Sequence, residues 1–259
     1  MNSPTEDQLS ERYIAENLRA ALKAGEFVLH CQTIKPIASS AGKTVYQEIF
    51  VRYAEEEDKL LPPGGFFPTL ERLKLMPMLD KWVIHRVIRW YAEKKKSTKH
   101  PPSAQCTINL SLDSILDKDF PAFVVDQLKK SHVPGDRLLF EITEHDADKL
   151  ALDLDRIMLA LRPVGCGFVI TGYGGEIVSA EMLQALGVNL VKIDGRIVRR
   201  VHEDKQSLET ATSIHAACRE IGVKTIAELV ELRETLQKLG AIGIDYAQGY
   251  GIAKPAPLK

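Results

Sequence analysis

The 259-residue sequence has almost no net charge, few cysteines and no long apolar run. Its formal charge of −1 excludes the global basic field with which nucleic-acid-binding proteins attract phosphates. No apolar stretch approaches the ~18 residues that indicate a transmembrane helix, and no secretory signal is visible. We therefore expect a cytoplasmic protein that contacts neither nucleic acid nor a membrane through this chain.

The four cysteines lie far apart and form no CxxC pair, which excludes the usual spacing of a structural zinc site. Cys31, Cys106 and Cys166 lie in apolar, strand-like runs, and we interpret them as reduced, buried, small hydrophobic residues. A local basic run, Lys94–Lys96, is interpreted as the last turn of a helix, where cations are favourable.

Apolar strand-like runs alternate with amphipathic helical segments along most of the chain. A strand pattern at 138–142 is followed by a helical pattern at 147–161 and by another strand at 168–170. Continuous apolar strands joined by helices predict a parallel sheet covered on both faces. About eight such units in one domain predict a TIM-type (β/α)8 barrel in the α/β class. A doubly wound open sheet is the alternative, and it is disfavoured because no G-x-G-x-x-G follows the first strand.

The domain boundaries follow from the same patterns. Residues 1–10 are polar, and we expect a disordered tail there. No break in composition defines a second domain, so the barrel is expected to occupy residues 11–259 as a single unit.

Several of the predicted strands end in a polar residue. In a (β/α)8 barrel the C-terminal strand ends meet at one face, and chemistry takes place there. Burying this many charges without partners is costly, so a cavity shared with ligand, water or ions is their natural host. The residues placed at this face are Glu48, Asn109, Glu141 with Glu144 beyond it, Thr171, Lys192 with Asp194, Glu228 with Glu231, and Gln248.

One strand end lacks the carboxylates that a metal site requires. The apolar run Gly167–Ile170 is followed by Thr171-Gly172, which offers a hydroxyl and a hydrogen. A hard cation such as Mg²⁺ needs oxygen ligands, usually with carboxylate charge. The absence of two adjacent ligands favours a site that binds or docks over one that hydrolyses.

These landmarks resemble, in order and spacing, an EAL-type cyclic-di-GMP phosphodiesterase domain. The segments that carry the resemblance are Gln32-Thr33-Ile34 for QPI, Glu48–Arg52 for EALLR, Asn109-Leu110-Ser111 for NLS, Glu141–Glu144 for EITE, Lys192-Ile193-Asp194 for KID, Ala227–Glu231 for AEGVE and Gln248-Gly249-Tyr250 for QGY. Each motif alone is weak, but together they cover nearly the whole chain. The resemblance implies the EAL variant of the TIM barrel and a place in bacterial second-messenger signalling.

In that family, two Mg²⁺ or Mn²⁺ ions activate a water that opens a phosphodiester of cyclic-di-GMP. The resemblance implies that Lys192 would assist the attacking water, that Gln248 would position it and that Arg52 would contact a phosphate. It also implies these metal-ligand positions: Glu48, Asn109, Glu141 and Glu228.

The departures from the family pattern lie at the metal site. The family's DDFGTG becomes Thr171–Glu176 at equal length, and its first aspartate bridges both metals. Two-metal hydrolysis needs both ions, and a neutral hydroxyl is a poor bridging ligand.

Leu229 replaces a glycine beside Glu228, and Ile49-Phe50 replace Ala-Leu, which are apolar changes that the fold can tolerate. We therefore expect no metal cofactor, because the ligand positions at Thr171 and Gly172 are lost. The family-equivalent catalytic positions, at which we expect no catalytic function, are Glu48, Lys192, Glu228 and Gln248.

Three hypotheses about function remain open. The first is an inactive domain that still binds cyclic-di-GMP as a receptor. The second is an inactive domain that acts only through a protein surface, because acidic residues without metals would repel two phosphates. The third, ranked last, is a weakly active phosphodiesterase. We favour the first, in which the ligand-binding residues are Gln32, Glu48, Arg52, Asn109, Glu141, Lys192, Glu228, Glu231 and Gln248. The sequence does not identify a protein partner, decide whether the chain forms a homodimer or reveal an upstream sensory domain.

Overall fold

The computed structural model describes residues 16–17, 20–22, 24–38, 44–56, 59–61, 67–97 and 103–259. The tail expected at 1–10 lies outside the described residues, as do several of the first residues of the expected domain at 11–259. The domain boundaries of the sequence analysis therefore stay predictions.

In the described part of the chain, ten strands form one sheet that closes on itself. The barrel order is β1-β2-β4-β5-β6-β7-β8-β9, and β9 pairs back to β1, while β3 and β10 are short additions at the edges. This closure confirms the TIM-type barrel. The strands are β1 Phe27–Pro36, β2 Tyr46–Glu56, β3 Lys59–Leu61, β4 Gln105–Asn109, β5 Leu138–Thr143, β6 Gly167–Tyr173, β7 Leu190–Ile193, β8 Lys224–Ala227, β9 Tyr246–Ala247 and β10 Ala256–Pro257.

The first strand departs from an all-parallel barrel. The seven other barrel strands run parallel to one another, as predicted, whereas β1 is antiparallel to both β2 and β9. Only residues 37–45 separate β1 from β2, and a parallel pair needs a crossover connection of about a dozen residues or more. The resulting register places Gln32 opposite Glu48 and His30 opposite Phe50.

Helices cover the outside of the barrel. One helix predicted over 147–161 is in fact two, because the backbone of Leu150 (φ −118°, ψ 30°) leaves the helical region between them. The run Lys94–Lys96 lies in the last turn of its helix, as predicted. The described residues at 16–17, 20–22 and 24 are helical, and the helices after β3 are α1 Phe67–Arg72, α2 Met76–Ser97, α3 Leu112–Leu116, α4 Phe120–Ser131, α5 Glu144–Lys149, α6 Ala151–Leu161, α7 Ala180–Leu186, α8 Gly195–Val198, α9 Lys205–Glu220 and α10 Arg233–Ile242. None of them has the length and apolar character to span a bilayer.

Strand alternation divides the core into two layers. Along β5, Leu138, Phe140 and Ile142 pack outward against the helices, whereas Leu139 packs into the barrel. The barrel interior holds its own apolar layer, made of Ile34, Leu139, Val169, Leu190, Ile226 and Tyr246. This layer fills the lower half of the barrel, so only the upper half, at the C-terminal strand ends, is left for polar side chains.

We expect Gly135→Ala to destabilise the fold. Gly135 begins the 3₁₀ turn before β5, and a Cβ atom there would overlap the carbonyl oxygen of Val164. Overpacking of this kind lowers the free energy of unfolding by about 1–3 kcal/mol. The matched control is Gly240→Ala in α10, where an added Cβ meets nothing within 4 Å and is expected to stabilise by about 0.5–1 kcal/mol. Denaturant unfolding of both variants measures the difference, and equal effects would contradict the packing argument.

Candidate ligand-binding site at the barrel mouth

Lys192 lies at the centre of a polar cluster in the upper half of the barrel. β7 directs its side chain into the interior, where it is 0% exposed. Its Nζ donates hydrogen bonds to Glu48 Oε2 (2.6 Å) and Glu141 Oε2 (2.8 Å) and lies 3.8 Å from Glu228 Oε1. A buried ammonium without carboxylate partners would be strongly disfavoured, as would buried carboxylates without a cation. The cluster is therefore held together by mutual neutralisation.

Glu48 is the best-connected carboxylate of the cluster. Its Oε1 accepts from Asn109 Nδ2 (2.9 Å), and its Oε2 accepts from Gln248 Nε2 (2.7 Å) as well as from Lys192. Gln248 Nε2 also donates to Gln32 Oε1 (3.0 Å), and Gln32 Nε2 donates to the carbonyl of Ala253 (2.8 Å). The network thus joins four strands. Three of them, β1, β2 and β4, each contain one of its side chains, and the fourth side chain, Gln248, directly follows β9.

One ammonium can neutralise only one of the two carboxylates that it contacts. Burial alone would raise the pKa of Glu48, but the charge of Lys192 and the hydrogen bonds to Glu48 outweigh burial and hold the pKa below its ordinary value. For Glu141, burial and then the nearby Glu48 charge raise the pKa to about 7, against the opposing Lys192 charge. Glu141 Oε1 is buried as well, and it lies 2.7 Å from Lys192 Nζ. Near neutral pH, Glu141 therefore carries only part of a negative charge.

Thr171 and Gly172 lie at the end of β6, on the side of the cluster that holds Glu228. Thr171 Oγ1 donates a hydrogen bond to Glu228 Oε1 (3.2 Å), and burial raises the pKa of Glu228. Gly172 has a φ of +66°, and a Cβ atom added to it would meet nothing within 4 Å. This side of the site offers one hydroxyl, one partly buried carboxyl group and open space.

Two of the expected ligand-binding residues lie apart from the cluster. Arg52 Nη1 donates to the carbonyl of Val51 (3.0 Å), and its Cζ lies 5.5 Å from the centroid of the Phe50 ring. Strand alternation directs Arg52 to the interior side of β2, nearer the mouth than the cluster. Glu231 has a side chain that is 53% exposed and lies 3.8 Å from Arg199 Nη2.

Two acidic residues next to the motifs bind backbone instead of joining the cluster. Glu144 accepts hydrogen bonds from the backbone amides of Gly174 (2.9 Å) and Val178 (3.2 Å), so it anchors the loop after β6. Asp194 caps α8 and accepts from the backbone amide (2.7 Å) and the guanidinium (2.6 Å) of Arg196. Their role is to position the loops around the mouth.

Two buried polar residues close to the site could not be singled out from the sequence. Thr107 is fully buried in β4 and lies two residues before Asn109. The only indication in the sequence that it faces the same side as Asn109 is this two-residue spacing. Asp80 is buried in α2, where its Oδ2 accepts from the amide (2.9 Å) and hydroxyl (2.6 Å) of Ser111 and from the hydroxyl of Ser114 (2.7 Å). Asp80 therefore fixes the turn that follows Asn109.

A cavity of about 610 Å³ lies between the outer face of β2 and β4 and the helices α1–α3, and Asn109 is the residue of the cluster that reaches it. Its walls are mostly apolar, and Phe67, Met76 and Val83 contribute to them. A mostly apolar cavity of this size with a few convergent polar groups is typical of small-molecule binding sites.

Comparison with known proteins identifies the family. Residues 15–255 match the family model described as EAL domain. The chain belongs to the EAL domain family. The cyclic di-GMP phosphodiesterase PdeB of Shewanella oneidensis is 32% identical over 245 residues, which are 94% of this chain and 28% of PdeB. The cyclic di-GMP phosphodiesterase PdeF of Escherichia coli is 32% identical over 241 residues, 93% of this chain and 31% of PdeF. This EAL domain therefore spans only about 28–31% of the length of these curated relatives.

Solved structures agree on the fold. The FimX EAL domain of Pseudomonas aeruginosa bound to c-di-GMP superposes with a TM-score of 0.84 at 24% identity, covering 94% of this chain and 96% of that one. The FimX EAL domain of Xanthomonas citri in complex with c-diGMP gives a TM-score of 0.84 at 22% identity, covering 97% and 96%. The resemblance seen in the sequence motifs is confirmed as far as the EAL-type fold.

The donors at this EAL site do not fit the pair of divalent ions that the family implies. The ammonium of Lys192 already lies within 2.8 Å of oxygens of Glu48 and Glu141. At the end of β6, the Thr171 hydroxyl donates a hydrogen bond to Glu228, and the side chain of Gly172 has no atom that could bind a metal ion. Among the residues that the structure describes, no three His, Cys, Asp or Glu side chains are grouped so that they could hold an ion. A bridging carboxylate, the central requirement of a two-metal site, is missing.

We expect Lys192→Met to destabilise the domain by about 3–5 kcal/mol, because it leaves buried Glu48 and Glu141 without their cation. The loss should be smaller at pH 5 than at pH 8, since protonation of the carboxyl groups removes the unpaired charges. Adding Glu141→Gln to Lys192→Met should recover part of the loss. Urea unfolding of the wild type, both single variants and the double variant at the two pH values gives the coupling energy. Additive effects would show that Lys192 and Glu141 do not depend on each other.

Proposed function

We propose that this EAL domain is catalytically inactive and binds cyclic-di-GMP as a receptor. The observation that carries the proposal is that Thr171 and Gly172, at the end of β6, offer no carboxylate where two-metal hydrolysis needs one, while the polar cluster around Lys192 is in place. A site of this kind can hold a ligand without activating a water. The domain would then act in second-messenger signalling by responding to whether cyclic-di-GMP is bound.

The argument against hydrolysis is the missing bridge between two ions. In a two-metal mechanism both ions must be held a few ångströms apart, so that one activates the nucleophile and the other stabilises the leaving oxygen. Thr171 is a neutral ligand whose hydroxyl is directed at Glu228 (3.2 Å). Without the bridge, the remaining residues have no means to lower the pKa of a water to near neutrality.

The argument for ligand binding is that the site carries less negative charge than its three glutamates imply. Lys192 offsets one charge, and the raised pKa of Glu141, about 7, reduces the charge that this group holds near neutral pH. Arg52 has a single described hydrogen bond, to the carbonyl of Val51, and in the described residues it forms no ion pair. Its remaining N–H groups suit a phosphate. Repulsion of the phosphates is therefore weaker than a count of carboxylates suggests.

The similar proteins point to one ligand. The relatives named as cyclic di-GMP phosphodiesterases and the solved domains titled as c-di-GMP complexes make this dinucleotide the first ligand to test.

The direct test is a titration of cyclic-di-GMP into the purified domain by calorimetry, with and without Mg²⁺ or Mn²⁺. We expect saturable one-to-one binding whose Kd does not depend on the metal. Chromatography of the same mixtures should show no linear dinucleotide above background. Steady conversion at roughly 1 per second or more would reject the inactive assignment, and absent binding would reject the receptor assignment.

Arg52→Ala should weaken cyclic-di-GMP binding by roughly ten- to a hundredfold, because a hydrogen bond to a charged group contributes about 1.5–3 kcal/mol. Glu141→Gln should leave the Kd equal or lower, since it removes a negative charge without a large change of shape. Arg86→Ala is the matched control: Arg86 also stacks on an aromatic ring, with Cζ 5.6 Å from the centroid of Trp82, but it lies on α2. Equal losses in Arg52→Ala and Arg86→Ala would reject the phosphate contact.

A protein-docking role is the second candidate. The observation that favours it is a pair of exposed leucines on α6, Leu152 (88% exposed) and Leu159 (62% exposed), seven residues apart and so on one helix face. Such a face suits a protein surface better than a nucleotide. If the wild-type domain binds no cyclic-di-GMP in the titration above, this candidate becomes the favoured function.

A further inference from the structure

Leu229 has an unusual backbone conformation for a leucine. It follows Glu228 directly at the end of β8, and its φ is +54°, in the left-handed region that favours glycine. Its side chain is 43% exposed, so burial does not compensate for the strain. Strained residues that persist beside a binding site are candidates for a functional role.

The surrounding backbone explains why the strain cannot relax. The amide of Val230 donates to the carbonyl of Gln248 (2.9 Å), and the amide of Gly251 donates to the carbonyl of Val230 (2.9 Å). Gly249 lies so close to Val230 that a Cβ atom there would overlap its backbone. Position 229 is therefore held at positive φ whichever residue occupies it, and a glycine would fit without strain.

In this conformation the leucine side chain packs against the neighbouring strand end, at Gly195. A Cβ atom on Gly195 would overlap Leu229 Cδ1 and lie 2.8 Å from its Cγ, so the leucine packs over the first residue of α8, just beyond β7. Leu229 therefore bridges the ends of β7 and β8. Glu228, the residue before it, accepts a hydrogen bond from Thr171, so the leucine follows directly on the side of the site where Thr171 and Gly172 lie.

The leucine adds apolar surface where the family pattern has none. Leu232 (49% exposed) and Tyr250 (63% exposed) lie on the same two hydrogen-bonded loops, so the mouth on the β8–β9 side carries several exposed apolar side chains. An apolar surface beside polar and charged groups suits a ligand that has a flat apolar face attached to a charged group. A nucleobase linked to a phosphate has this chemistry.

We propose that Leu229 is a specificity residue that forms an apolar platform for one purine base of the bound cyclic dinucleotide. The proposal rests on the proposed receptor function and names the side of the site that contacts the base. In this arrangement the loss of the metal-ligating pair and the gain of a leucine act together. Affinity on that side comes from base contact in place of metal-bridged phosphate contact.

The test compares two cyclic dinucleotides and four proteins by calorimetry. Leu229→Ala keeps the backbone strain and removes the platform, so it should weaken cyclic-di-GMP binding roughly five- to tenfold. The loss for cyclic-di-UMP should be smaller, because a pyrimidine covers less apolar surface. Leu229→Gly should show the same losses, with a melting temperature about 2–4 °C above that of Leu229→Ala because glycine relieves the strain. The control Leu152→Ala removes an exposed leucine on α6 and should change neither Kd.

The outcomes separate this inference from the proposed function. A wild-type domain that binds neither dinucleotide rejects the receptor function and with it the platform. If the wild type binds cyclic-di-GMP and Leu229→Ala binds it with the same Kd, the platform alone is rejected. Equal losses for the two dinucleotides also reject it, because they indicate a general effect on the loop. Melting curves of each variant confirm that the comparison is made between folded proteins.

Discussion

The site depends on one ammonium group placed between carboxylates inside a closed barrel. Lys192 is fully buried, and its contacts with Glu48 (2.6 Å) and Glu141 (2.8 Å) offset the desolvation free energy of burying all three groups. Removing Lys192 would leave buried carboxylates without a cation in a medium of low polarity. The remaining polar contacts are arranged around this constraint, because Asn109 and Gln248 both donate to the carboxylate that keeps its full charge.

The fold makes this arrangement available by dividing the barrel interior into an apolar and a polar half. Leu139 and Glu141 lie two residues apart on β5, so alternation places them on one face at successive levels. The same step separates Ile34 from Gln32 on β1. Because β1 is antiparallel, its register places Gln32 directly opposite Glu48 and connects the first and last barrel strands through Gln248. The apolar half excludes water from below and lets the polar half act as a shaped, low-dielectric site.

The changed motif and the changed loop lie on the same side of the mouth. At the end of β6, Thr171 contributes a hydroxyl and Gly172 contributes open space, while Leu229 at the end of β8 extends over Gly195. Glu144 anchors the loop after β6, because it accepts hydrogen bonds from the backbone amides of Gly174 and Val178. The departure at Thr171-Gly172 therefore lies beside a loop whose backbone is held in place.

The sequence by itself determined the barrel, because alternating strand and helix periods have few other solutions, and it determined which strand ends are polar. It also located the departure at Thr171-Gly172, since the motif retains its length. Only the tertiary structure decided that β1 runs antiparallel, that Lys192 contacts Glu48 and Glu141, and that Glu144 and Asp194 bind backbone. The positive φ of Leu229 likewise emerged only from the packing of Gly249 against Val230. Sequence periodicity reports which face a residue occupies, whereas ion pairs and strained backbones depend on distances between segments far apart in the chain, and these distances are set only when the barrel closes.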